Sequence, residues 1–358
     1  MNNLYKCLLL FGALSLLSAC VHTKIIDEVV LMDAMGFDYV KEGQIRETIL
    51  STVYLEDQPP KNITETAISD TKKLALYKIS EQTPFHIGRG GIDVILFGEE
   101  LAAKEGILKL LDPFQRDPSV GANLTVGIVD GEAKDFLEGE YGIRGNSKFI
   151  TELVDHNIKH ENLPKTNLQH FLHAFYQQGQ TPFLPRFKKI SKTKMKLQGV
   201  YLIKHGKIAD TIPDNEMFFF KLLVDKYSNG FYQIEVDEGK AAVRSIRSKH
   251  KMKLVGRNPY SIQIHIKVYG IINEFTGNEL KPETIKEVEK QFEKIINEKC
   301  EELIRRFQEK ELDPIGLGHF VRSKTRNFDY DKWRTSDYAN LTVKVSSSVK
   351  IMSAGTIE

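Results

Sequence analysis

Four histidines, His156, His160, His170 and His173, lie close together in the chain, and imidazole nitrogens are common ligands for zinc and related metals. His156 and His160 are four residues apart and His170 and His173 three apart, so each pair would share a helix face. A metalloprotease helix carries a general-base glutamate beside its first histidine. Asn157 stands there instead, and Pro164 separates the two pairs into different elements. The alternative to a metal site is a polar surface rich in imidazole. Gly88-Arg89-Gly90-Gly91 offers backbone N–H groups to a phosphate, yet it lacks the Gly-Lys-Ser/Thr ending of a phosphate loop and precedes a strand. It reads as a tight turn. No Gly-x-Ser-x-Gly elbow occurs. Cys300 sits in a helical apolar pattern as a poor nucleophile, and the acidic residues scatter over helix faces. These residues specify no catalytic centre, so the expectation is a protein that is not an enzyme and holds neither a metal nor a cofactor.

A second thiol has clearer chemistry. Lys6 is the only charged side chain before an almost wholly apolar run from Cys7 to Leu17. At about eleven residues that run is too short for the roughly 20 a membrane span needs, and it has the length of a signal-peptide core. Leu17-Ser18-Ala19-Cys20 then sets a branched apolar residue and two small ones before a cysteine, which resembles the lipobox of bacterial lipoproteins. On that resemblance residues 1–19 are a cleaved leader, and Cys20 becomes the first mature residue, carrying a covalent diacylglyceryl group and an N-acyl lipid. Each buried methylene contributes about 0.8 kcal/mol, and more than one chain makes anchoring stable. An ordinary secretory leader with Cys20 as an incidental thiol is the alternative. Of three cysteines only Cys300 then stays free, so no internal disulfide is expected.

The 358 residues are 41% hydrophobic and 27% charged, an ordinary globular composition whose length suggests two or three domains. With 50 Lys+Arg against 48 Asp+Glu the net charge is +2, which gives no reason to expect nucleic acid as a partner. After the leader no apolar stretch reaches the roughly 18 residues of a transmembrane helix.

Ile25 to Phe37 reads as a helix and then a strand, with Gly36 near the junction, and Gln44 to Leu55 as a strand before Asp57-Gln58-Pro59-Pro60. Thr64 and Thr66 as caps, with Ile68, Leu74, Ala75 and Ile79 at helical spacing, predict a helix over 62–80. Asp93 to Phe97 reads as a buried strand, Glu99 to Leu111 as a helix stopped by Asp112-Pro113, Asn123 to Val129 as a strand and Glu132 to Leu137 as the start of a helix. Pro182 and Pro185 open a more β-rich region. They divide an N-terminal α+β region at 20–185, itself one domain or two divided near 113–120, from a C-terminal α+β region at 186–358. Within the latter, Ile262, Ile264, Ile266 and Val268 alternate with Gln263, His265 and Lys267, which predicts an antiparallel strand with one wet side. A long helix is predicted over 282–312, with Pro282 in its first turn and Ile285, Val288, Phe292, Ile295, Ile296, Leu303, Ile304 and Phe307 in one stripe. Asp313-Pro314 ends it, and Leu341, Val343 and Val345 begin a last strand. The expected fold class is α+β, with two or three small domains, each a mostly antiparallel or mixed β-sheet flanked by helices, after a cleaved lipoprotein signal peptide.

Two stretches are basic without an acid, Arg186 to Lys207 and Lys240 to Arg257. In the first Lys192, Lys194 and Lys196 alternate, and in the second Arg247, Lys249, Lys251 and Lys253, so each set would line one face of a strand. A solvated face that discourages edge pairing is one reading. Attraction to anionic headgroups, at about 1 kcal/mol per residue near the surface, or to an acidic partner, is the other.

Taken in order, the lipobox is followed by EVVLMDAMGFD at Glu28 to Asp38 and by LFGEELAAKEG at Leu96 to Gly106, leading into LLDPFQRDP at Leu110 to Pro118. Next come KLQGVYLIKHGKI at Lys196 to Ile208, the long helix, DPIGLG at Asp313 to Gly318, and Trp333 before the final strand. Along nearly its whole length the chain thus resembles the C-subunit lipoproteins of endospore germinant receptors, the Ger(x)C family. It departs in Cys20-Val21-His22-Thr23, where the family usually has a Cys-Trp-Asp-Arg-like start, and in Gly90-Gly91, where a Ser-His-like pair is common. The resemblance implies an α+β protein of three small domains on the outer face of the spore inner membrane, assembled with a multi-span A subunit and a transporter-like B subunit into a receptor for small germinants. It supplies no catalytic residues. A solute-binding envelope lipoprotein and a metal-dependent envelope enzyme using the histidine cluster are the alternatives.

Overall fold

Eight strands form the larger of two extended sheets in the computed structural model, which describes residues 29–53, 59–70, 77–81, 86–88, 91–121, 123–277 and 279–354. The leader at 1–19, the lipobox with Cys20, and Arg89-Gly90 of the glycine turn lie outside the described residues. A short ribbon comes first, β1 (Val29–Leu31) paired in parallel with β5 (His86–Gly88). The large sheet takes β2 (Ala34–Lys41), β3 (Gln44–Val53), β4 (Lys61–Ser69), β6 (Val94–Gly98), β7 (Thr125–Val129), β8 (Phe183–Ser191), β9 (Lys194–Lys204) and β10 (Lys207–Pro213), in the spatial order β10-β9-β8-β7-β6-β2-β3-β4. The four central strands β2, β6, β7 and β8 run parallel and the outer pairs are antiparallel. β6 and β7 are buried at every position because helices cover both faces, as a parallel sheet requires. Helices α1 (Glu99–Lys104), α2 (Leu108–Arg116) and α5 (Leu168–Tyr176) pack with Phe37, Phe97 and Ile128 on one side. Helices α3 (Ala133–Leu137) and α4 (Asn146–His160) pack with Val94, Leu96 and Val129 on the other.

Several sequence expectations change here. The described part of 25–37 is strand throughout its regular portions, and Gly36 sits inside β2. The first half of the helix predicted over 62–80 is instead β4 over Lys61–Ser69, because Ile63, Thr64, Thr66 and Ile68 suit an edge strand that pairs along its length with β3. Residues 77–80 at its far end are helical, and 71–76 lie outside the described residues. Glu99 to Leu111 is two helices, and Pro113 lies within the second. The break falls at Gly106, whose φ of +87 is the left-handed region and whose Cβ position would lie 2.9 Å from the Gly206 carbonyl oxygen. The predicted division at 185 falls inside the large sheet, since β8 pairs in parallel with β7 through Ile128↔Arg186 and Val129↔Phe187.

The second sheet has the order β11 (Tyr227–Val236), β12 (Gly239–Arg257), β13 (Tyr260–Phe275) and β14 (Thr342–Ala354). β13 is antiparallel to β12, as its alternation predicts, but parallel to β14. Ile262, Ile264, Ile266 and Val268 are buried beneath helix α7 (Pro282–Glu309), whose predicted stripe faces them. Helix α6 (Met217–Val224) joins the two halves. Its Phe220 ring lies 5.2 Å from Phe183 of β8 and 6.0 Å from Phe307 of α7, and Phe218 stacks on Phe292 at 5.5 Å. Each half is therefore a mixed sheet flanked by helices, and among the described residues no helix is long and apolar enough to cross a membrane.

β14 is an edge strand, and its outward amides are taken up by glutamates of α7. Ile351, Val349 and Val345 donate their N–H groups to Glu289, Glu293 and Glu301 at 2.8, 2.8 and 3.0 Å. This closes an edge that would otherwise recruit another strand. Glu293→Ala strands the Val349 amide, so we expect urea denaturation to register a loss of about 1–3 kcal/mol.

Candidate functional site

The segments that carry the sequence resemblance meet in two polar clusters. At the carboxyl ends of the parallel strands, Asp38 of β2 accepts N–H bonds from Ala133 and Lys134 at 2.5 and 3.0 Å and so caps α3. Burial raises its pKa to about 6 against those two donors. On β9, separated from β2 in the sheet by β6, β7 and β8, Tyr201 donates its hydroxyl to Glu99, which follows β6, at 2.7 Å. Arg186 donates from Nε and Nη2 to both oxygens of Asp130 at 2.6 and 2.9 Å, while its guanidinium stands 5.1 Å from the Tyr201 ring centroid. Burial, followed by the bond to Glu99, raises the Tyr201 hydroxyl far above its ordinary range. These groups satisfy one another, so the cluster holds strand ends in place.

The second cluster is the joint at DPIGLG. Asp313 is buried and accepts N–H bonds from Gly316, Leu317 and Gly318 at 2.9, 2.9 and 2.7 Å, which starts helix α8 (Leu317–Lys324). Its own N–H donates to the Thr181 hydroxyl and its carbonyl accepts from the Thr181 N–H, both at 2.8 Å. Thr181 belongs to the segment entering β8, so this knot ties the two sheets together. Trp333 closes over Gly318, where a Cβ would lie 2.6 Å from Nε1, and packs 5.6–5.7 Å from Tyr260, Phe328 and Tyr338.

The four histidines weighed as possible metal ligands do not converge. His156 and His160 share a face of α4 with ring centroids 5.1 Å apart, and His170 on α5 bonds through Nδ1 to Asn167 at 2.8 Å. Among the described residues no group of three or more His, Cys, Asp or Glu is placed to hold a metal ion. Cys300 is fully buried, which raises its thiol pKa and disfavours the thiolate.

The two basic sets fare differently. Lys192 leaves its predicted strand for the β8–β9 turn, where the reversal falls between Ser191 and Lys194, and it pairs with Glu140 at 2.5 Å. Lys194 and Lys196 do extend from β9 on its exposed side. Arg247, Lys249, Lys251 and Lys253 share one face of β12, as predicted, and this is the face that α7 leaves open.

Strand register enlarges the second set. Tyr227, Lys249, Lys267 and Ser348 form one row across the sheet, and Lys251, His265 and Ser346 the next. Lys253, Gln263 and Lys344 form a third, and Arg247, Tyr269 and Lys350 a fourth on the other side. These rows bring together seven basic side chains, with no aspartate or glutamate among them. None of the seven makes an ion pair among the described residues. Lys344 and Lys350 were missed because they stand six residues apart in β14 with no base between them, so they form no basic run. Their only sequence signal is alternation with Val343, Val345 and Val349.

Residues 22–189 match the spore germination protein N-terminal domain, and residues 198–355 match the spore germination B3/GerAC-like C-terminal domain. Spore germination protein GerQC of Bacillus cereus is 30% identical over 358 residues, covering 98% of this chain and 99% of that protein. The crystal structure of the GerBC protein has the same fold, with a TM-score of 0.60 over 89% of this chain and 97% of that one, at 18% identity.

Proposed function

The chain belongs to the GerAC-like spore germination family, and on that premise we propose that it is the lipid-anchored, non-catalytic C subunit of a spore germinant receptor. The observation that carries this reading is the end-to-end match, in which both family domains occur in order and a germination protein aligns over almost its full length. In this reading the chain works on the outer face of the spore inner membrane beside membrane-embedded A and B subunits, and it is required for the response to small nutrients. The polar clusters support a structural role, since their donors and acceptors are committed to strand ends and helix starts.

Acylation of Cys20 supplies the anchor. Val29 lies nine positions after Cys20, a span of at most about 30 Å when fully extended. The folded body is thereby confined near the bilayer, which raises its effective concentration for membrane partners without any new contact. Crosslinking in intact dormant spores, followed by purification of the chain, tests the assembly. We expect two multi-span membrane proteins to be recovered with it, and a strain lacking the chain to lose its response to at least one germinant. Recovery of the chain alone, with unchanged germination, contradicts the proposal.

A further inference from the structure

We propose that the open face of the second sheet binds the anionic headgroups of a phospholipid bilayer, laying that sheet against the membrane. Three properties of the face support this.

The first is charge. Lysines on helix surfaces of this protein commonly stand beside an acid, as Lys104 does with Glu100, Lys134 with Glu138 and Lys159 with Asp155. On the sheet face the pattern is reversed. Lys249 lies directly opposite Lys267 with no acid in any of the four rows, an arrangement that disfavours the sheet itself. A face that served only for solubility would be cheaper with mixed signs. The seven charges lie on a patch about 20 Å long and 10 Å wide, judged from strand rise and spacing.

The second is residue type. Six of the seven are lysine and one is arginine. The cores of protein interfaces are depleted in lysine and enriched in arginine and large aromatic residues. A lysine is a flexible point charge without the planar fork that fixes a carboxylate. It suits mobile headgroups better than a fitted protein surface.

The third is the pair of tyrosines within the rows. Tyr227 and Tyr269 are 51% and 36% exposed beside Lys249 and Arg247, and tyrosine is a residue that settles at the membrane–water boundary. The face is thus a basic field with two amphipathic rings.

The proposal shares with the anchored-subunit reading only the premise that the chain works at a membrane, so the test uses the chain from residue 20 onward carrying Cys20→Ala, in which neither the apolar leader nor a thiol-linked lipid contributes. Flotation is measured with neutral phosphatidylcholine vesicles and with vesicles also containing phosphatidylglycerol. We expect binding to the anionic vesicles alone, with release at high salt. Lys251→Gln with Lys253→Gln weakens that binding by roughly 25-fold, at about fivefold per charge, while Lys194→Gln with Lys196→Gln leaves it unchanged. Both double variants lie on exposed positions, and unchanged denaturation midpoints confirm their folding. Equal flotation on neutral and anionic vesicles, no flotation at low salt, or undiminished binding by the 251/253 variant overturns the proposal. Undiminished lipid binding with loss of a co-purifying membrane protein assigns the face to an acidic protein partner instead, and also overturns it. An unmodified Cys20 in the native protein refutes the anchor and leaves this result standing.

Discussion

Cys20→Ala is expected to move the protein from the membrane fraction of dormant spores to the soluble fraction and to impair the response to its germinant. The effect is large because acyl chains hold a protein through many methylenes at about 0.8 kcal/mol each, whereas the sheet face holds it through a few screened charges. The two contributions differ in their response to salt. In the variant, a residual membrane-associated fraction should persist at low ionic strength and disappear in a high-salt wash, since exposed charges are screened beyond a Debye length of about 10 Å at 0.1 M. Adding Lys251→Gln and Lys253→Gln should remove that residue. Membrane retention after a high-salt wash, together with normal germination, would contradict the anchor.

The second large effect is on the fold. Asp313→Ala leaves three buried N–H groups, those of Gly316, Leu317 and Gly318, without their acceptor, at a cost of about 3–5 kcal/mol once partial relaxation is allowed for. The damage falls on the joint, because the same residue holds Thr181 on the segment that enters the large sheet. Asp313→Asn should cost less, as its amide oxygen still accepts two of the three bonds while its NH2 group faces the third donor. Urea denaturation read at both sheets checks the order parent, Asn, Ala.

The same residue gives a pH dependence. Burial raises the Asp313 pKa to about 6 from 3.8 despite its three amide donors. Between these values the folded state holds a proton that the unfolded state has lost. The stability contributed by this group is therefore fully present below about pH 4 and lost as pH rises through 6. Burial raises Asp38 and Asp225 to about 6 as well, so the three act in the same direction. Asp313→Asn should flatten its share of the fall in denaturation midpoint between pH 4 and 6. A slope identical to that of the parent would show that Asp313 does not titrate in this window.

The elements most legible in the sequence are those with one-sided burial. In β13 and α7 the apolar residues recur at the period of the backbone, and each face meets a single environment. Legibility failed where period and tertiary contact disagreed. Residues 62–69 carry threonines and isoleucines whose spacing fits a helix, and only the partner strand β3 decides for β4. The break at Gly106 depends on the approach of Gly206, about a hundred residues away in the chain. Glu289, Glu293 and Glu301 look like the wet side of a helix, yet they terminate a sheet edge. Only part of the basic face was readable. Alternation along β12 gives Arg247 to Lys253, but Lys344 and Lys350 join them only through the pairing of β13 with β14, and register between distant strands leaves no mark in local composition.

Mass spectrometry of the amino-terminal peptide from native spore membranes tests the anchored-subunit account most directly. The account predicts a chain that begins at Cys20, with a diacylglyceryl group on its sulfur and an acyl group on its nitrogen. A peptide that begins before Cys20, or one that begins there with an unmodified thiol, would contradict it.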